Sequence, residues 1–146
     1  MRPILLAMLL AVSLPCGALA EGAPSLGLAG LLSSGNKQEL PPITLSAGQP
    51  LAAEGWSLKS GTYYEFEIEA DGSQELALVA PEFFRAIWID EIVIEGIEIR
   101  PLGIDSFEFD EAGTMEIGFI AIKPGSYVMR VPGTTGDTQR LEITIE

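Results

Sequence analysis

Histidine is absent from the 146 residues, and cysteine occurs once, at Cys16. Without an imidazole, Ser-His-Asp and Cys-His nucleophilic catalysis are excluded, as are the usual structural and catalytic zinc sets. Basic residues are also scarce: eight lysines and arginines stand against twenty-one aspartates and glutamates, for a net charge of −13. A surface this acidic repels phosphate backbones and anionic headgroups. Nucleic acid is therefore excluded as a partner, and the expected partner presents a neutral or cationic face. Beyond the N-terminus no apolar run reaches the roughly twenty residues of a membrane-spanning helix.

The N-terminus has the features of a secretory signal. Arg2 supplies a positive start, residues 4–14 are apolar, and Ala18-Leu19-Ala20 offers a small-x-small cleavage site before Glu21. Residues 1–20 are therefore expected to be removed, leaving a periplasmic or secreted protein with no membrane insertion. Cys16 follows Pro15, where a lipobox has a small residue, so it is expected to leave with the signal and not to carry lipid. Losing Arg2 leaves seven basic residues and a net charge of about −14, enough self-repulsion to favour a soluble monomer.

Residues 21–42 are rich in Gly, Ser, Ala, Leu and Pro and read as a flexible N-terminal arm ended by Pro41-Pro42. Residues 43–146 then carry strand signals at short intervals, as one domain. The clearest covers residues 62–70, where Tyr64, Phe66 and Ile68 alternate with Glu65, Glu67 and Glu69. Asp71-Gly72 predicts a turn, with residues 75–79 returning as a hairpin partner. Pro81 suits the first turn of a short helix. Residues 87–89 and 92–94 are strand-like, with Asp90-Glu91 as a bulge between them. Further strands are expected at 43–46, 97–99, around Phe107 and Phe109, and at 114–122, 127–131 and 141–145. Eight or nine strands, at most one short helix and no internal repeat predict an all-β fold, an antiparallel Greek-key β-sandwich.

One stretch adds a resemblance. Met115-Glu116-Ile117-Gly118-Phe119 leads through Lys123-Pro124-Gly125-Ser126-Tyr127 into another strand, and upstream lies Gly61-x-Tyr63-Tyr64-x-Phe66-x-Ile68. The order of apolar strand, Pro-Gly-x-Tyr turn and following strand resembles the cupredoxin pattern, over about residues 43–145. That resemblance implies a type 1 copper site of two imidazoles, one thiolate and a weak axial ligand such as methionine. The thiolate position, four residues past the turn tyrosine, holds Val131 here. The loop over 132–139 offers only Thr134, Thr135, Asp137, Thr138 and Gln139, and the upstream imidazole position falls near Glu75 or Leu76. Blue-copper electron transfer is excluded by composition.

The remaining candidates are carboxylates and aromatics. Lys37, Lys59 and Lys123 sit in no catalytic motif, and Lys123 flanks a turn. Asp90-Glu91 and Asp110-Glu111 are neighbours in sequence, but adjacent strand residues point to opposite faces, so neither pair is expected to converge and no enzyme activity is expected. Asp105, Glu108, Asp110 and Glu111 are the alternative site for a divalent cation, although they lack the EF-hand spacing and read equally as solvated turn charges. Met115 and Met129, the methionines left after signal removal, are core fillers or a sparse soft-metal pair. No cofactor is expected, with copper or a divalent cation left open. For partner binding, Glu82, Phe83, Phe84, Arg85 and Trp88 combine aromatics with charge, as interaction hot spots do; alternatively Phe84 and Trp88 cap the core. The expected function is a non-enzymatic periplasmic accessory protein that binds an unidentified periplasmic partner. The resemblance implies a setting in metal handling or assembly of a respiratory or copper system. A divalent-cation carrier is the alternative, and a carboxylate hydrolase a third.

Overall fold

Period-two burial organises the chain. In a computed structural model, which describes residues 30–146, the strand β4 (Tyr63–Ala70) buries Tyr64, Phe66 and Ile68 and turns the intervening glutamates to its outer face. Before it come β1 (Lys37–Glu39), β2 (Ile43–Leu45) and β3 (Trp56–Leu58). After it come β5 (Leu76–Val79), the helix α1 (Pro81–Phe84), β6 (Ile87–Ile94), β7 (Ile97–Ile99), β8 (Ser106–Phe109), β9 (Gly113–Ala121), β10 (Gly125–Arg130) and β11 (Arg140–Ile145). Residues 1–20, Cys16 among them, and the first nine residues of the expected arm lie outside the described residues.

The strands form two layers. One sheet runs β1-β4-β9-β6-β7, with β2 also on β4; the other runs β3-β11-β10-β5-β8. The sandwich expected from the sequence is present, but its sheets are mixed and not purely antiparallel. β1 and β2 pair parallel with successive halves of the same β4 edge, and β3 pairs parallel with β11. Pro41 and Pro42, which have no N–H to donate, fall in the gap between β1 and β2.

Two further expectations are corrected. The end of the presumed flexible arm is part of the sheet: Lys37–Glu39 pairs with Tyr63–Glu65, and the buried Asn36 amide donates to the carbonyls of Leu31 and Gly61 at 2.8 and 3.0 Å. Residues 75–79 are not the hairpin partner of β4. The Asp71-Gly72 turn carries the chain across to the opposite sheet, where β5 pairs with β8 and β10.

An aromatic chain fills the space between the layers. Trp56 packs edge-on against Phe66 at 4.9 Å between centroids, Phe66 against Phe119 at 5.9 Å, and Phe119 against Phe83 at 5.6 Å. Phe83 continues to Tyr127 at 6.1 Å, and Phe84 meets Phe107 at 5.6 Å. The short helix, begun by Pro81 as expected, thus drives two rings between the sheets where the chain crosses from β5 to β6.

Candidate functional site

The outer face of the larger sheet is polar and tied by specific contacts. The expected bulge is present: the register of β6 against β9 shifts between Ile89 and Glu91. It changes the reading of Asp90-Glu91, because the extra residue brings two consecutive carboxylates within reach of one cation. Arg100 donates to Asp90 Oδ1, Glu91 Oε2 and Glu98 Oε2, each at 3.2 Å, and so fastens β7 to β6. The Tyr63 ring is buried across the face and its hydroxyl lies 3.4 Å from Asp90 Oδ2. Burial, followed by the nearby Asp90, Glu91 and Glu65 charges, raises that hydroxyl well above its ordinary pKa, so it remains a donor.

Beside Tyr63, Lys37 of β1 forms an ion pair with Glu65 of β4, and Glu65 in turn shares a hydrogen bond with Glu116 of β9. Two carboxyls in hydrogen-bond contact hold one proton between them. The bond to Glu65, then burial, then the Glu65 charge push Glu116 up to about 7. Burial alone would raise Glu65, but its bonds to Glu116 and Lys37 outweigh that effect and lower it. The sign of the pH effect follows. Glu116 keeps its proton in the folded state where the unfolded carboxyl has lost it, so its stabilisation is complete in acid and disappears as the pH rises through about 7. Glu65 acts in the opposite sense, on the acid side of the ordinary carboxylate range. The melting temperature should therefore fall between about pH 5 and about pH 8, and Glu116→Gln should flatten that fall. Identical slopes for the two proteins would refute the shared proton.

The aromatic patch expected around α1 divides. Phe83 and Phe84 are core residues and cannot meet a partner, because α1 points both rings between the sheets. Glu82, Arg85 and Trp88 are at the surface, and Trp88 is 48% exposed. The acidic quartet does not assemble either. Glu108 lies within β8, Asp105 before it, and Asp110 and Glu111 in the bend beyond it; the last three line one cavity and Asp105 stands outside it. Among the described residues no three acidic, histidine or cysteine side chains form a metal-holding group. Met115 and Met129 are both buried but belong to opposite sheets, paired with Ile68 and Leu141.

The sequence reading missed the flank formed by β7 and β8, each an edge strand of its sheet. Ile97 is paired with Ile94, and Ile99 with Ile92, a buried core residue. Paired residues share a face, so Ile97 and Ile99 are on the core side of their sheet. They are nevertheless 65% and 43% exposed, because the smaller sheet does not extend over them. Next to them a cavity of about 520 Å³ opens between Ile94, Phe107, Phe109 and Met115. A smaller pocket of about 120 Å³ is bounded by Trp88, Pro101 and Leu102. Carboxylates rim the cavity: Glu95, Glu108, Asp110 and Glu111. The hydrogen bond to Glu108, with the charges of Glu108 and Asp110, raises Glu75 above its ordinary value, a sign of crowded negative charge.

No family model matches the sequence, and no curated protein matches it. Solved structures do match the fold. A laccase-like multi-copper oxidase from an Ochrobactrum species superposes with a TM-score of 0.55 at 7% identity, over 77% of this chain and 32% of that one. A multi-copper oxidase from Pseudomonas thermotolerans gives 0.56 at 12% identity, over 77% and 30%. A copper nitrite reductase from Nitrosomonas europaea gives 0.50 at 15% identity, over 65% and 33%. The fold is cupredoxin-like. The chain spans about a third of the length of each of these structures.

The side chains at the implied copper end do not fit a type 1 centre. Val131, in the thiolate position, is buried and apolar. Gln139 donates its amide to the Ser46 carbonyl at 3.3 Å, and the Thr134 hydroxyl donates to the Val131 carbonyl at 2.8 Å. These polar groups are occupied in closing the loops, and no imidazole exists to replace them. The Pro-Gly-x-Tyr turn is kept for its own structural reason. The Tyr127 hydroxyl donates to the Lys123 carbonyl at 2.8 Å, and its ring folds over Gly125, where an added Cβ would meet the hydroxyl oxygen at 2.8 Å.

Proposed function

We propose that this chain is an exported, non-enzymatic cupredoxin-like binding module that has no type 1 copper and works by docking a partner. The observation that carries this reading is the pairing of two features of one fold. The copper end is filled by Val131 and self-bonded loop residues, while apolar side chains on the core side of β7 are left uncovered. Exposed core-side isoleucines cost solvation free energy in the isolated domain, and contiguous apolar surface of this kind marks interaction sites. Export is supported by the signal-like residues 1–20. The setting proposed is metal handling or assembly of a copper or respiratory system, by analogy with the multi-copper oxidases and the copper nitrite reductase that share the fold.

A metal titration tests the copper-free half directly. The domain lacking residues 1–20, titrated with Cu(I), Cu(II), Zn(II) and Ca(II) and followed by calorimetry and elemental analysis, should show no stoichiometric uptake. Tight one-to-one binding of any of these ions, or an intense blue colour with Cu(II), would overturn the reading.

A further inference from the structure

We infer that the β7–β8 flank accepts an extended protein segment with apolar side chains in its centre and lysines or arginines at its ends. The inference rests on the binding-module reading and gives that module a surface and a partner chemistry. Three observations combine. β7 and β8 each end a sheet, so each presents an unpaired backbone edge, and Ile94 and Glu95 at the β6–β7 turn line the same cavity as Phe107 and Phe109 of β8. An added strand can satisfy such an edge by main-chain hydrogen bonds, with alternate side chains entering pockets. The pockets are present: Ile97 and Ile99 are exposed on the core side, beside the cavity of about 520 Å³ lined by Phe107 and Phe109.

Charge selects the occupant. Among the described residues Glu95, Glu108, Asp110 and Glu111 form no ion pair with a basic side chain, so the rim is uncompensated. Arg100, just beyond β7, is already committed to Asp90, Glu91 and Glu98 on the other face. A second copy of this chain would bring the same acidic rim against itself at a net charge of −13 per chain. A segment with basic ends meets the rim with opposite charge, and its apolar centre covers the isoleucines.

The test uses the domain lacking residues 1–20 and two synthetic peptides of alternating valine and threonine, one flanked by lysines and one by glutamates. The lysine peptide should bind, weaken as salt is raised, and shift backbone amide resonances in residues 94–99 and 105–111. The glutamate peptide should bind at least about tenfold more weakly. Ile97→Glu, at a mostly exposed position, should remove binding of the lysine peptide without changing the melting temperature, and Ile99→Thr should weaken it. Failure of both peptides to bind, equal binding of both without salt dependence, or resonance shifts confined to the loops around Val131 would each overturn the assignment. So would a dimer of the unliganded protein that Ile97→Glu dissociates. None of these results requires metal uptake, so loss of the flank is distinguishable from loss of the copper-free binding module.

Discussion

Phe83→Ala should lower the unfolding free energy by about 3–5 kcal/mol, the range for deleting a large buried ring from a core that cannot collapse around the void. Phe83 is fully buried and touches Phe84, Phe119 and Tyr127, so it joins α1 to β9 of one sheet and β10 of the other. Domains of this size are stable by roughly 5–15 kcal/mol, so the substitution removes a large part of the total. The denaturation midpoint of the purified variant against wild type gives the number. Trp88→Ala is the control: the side chain is 48% exposed, and its removal should change stability by less than about 1 kcal/mol. A Phe83 variant as stable as the Trp88 variant would return the ring to the surface and undo the account of the core.

Gly118→Ala should be the second large effect, at about 1–3 kcal/mol, although alanine is ordinarily the better strand residue. A Cβ at Gly118 would collide with the Tyr63 hydroxyl oxygen and lie 3.0 Å from the ring carbon that bears it. The ring must then leave the groove in which it is 6% exposed, losing both its burial and its approach to Asp90. The mechanism predicts its own control. In a Tyr63→Ala background the clash is gone, and Gly118→Ala should be neutral or slightly stabilising, a coupling measurable by a double-mutant cycle. Additive effects would show that the ring and the glycine do not depend on one another.

Much of the fold was legible where a short-range pattern dictates it. The Tyr64/Phe66/Ile68 alternation fixes both the strand and its buried face, Pro81 begins a helix, and Asp90-Glu91 marks a bulge. What could not be read depends on contacts between distant residues. Lys37–Glu39 is polar and exposed throughout, so its strand exists only because the β4 edge is there to pair with. Trp56–Leu58 is three residues long and is held by β11, far along the chain. The Asp-Gly turn signals a reversal but does not say which sheet the chain enters next.

The site follows the same rule. Phe83 and Phe84 look available because a four-residue helix has little face to hide them, yet the gap between the sheets hides both. Ile97 and Ile99 look like an ordinary alternating strand. That nothing lies over them depends on where the opposite sheet stops, which local sequence does not record. Conversely, Asp90 and Glu91 were expected on opposite faces, and the bulge itself carries both to Arg100.

The place of β11 bears on how the molecule is made. It lies between β3 and β10, with β3 paired in parallel along Ile143–Ile145 and β10 along its full length. The smaller sheet therefore stays in two parts, β3 on one side and β10, β5 and β8 on the other, until β11 is in place between them. Contacts between residues this far apart form late, and closing such long loops is slow. β11 is thus the clasp of that layer: without it, β3 has no strand to pair with.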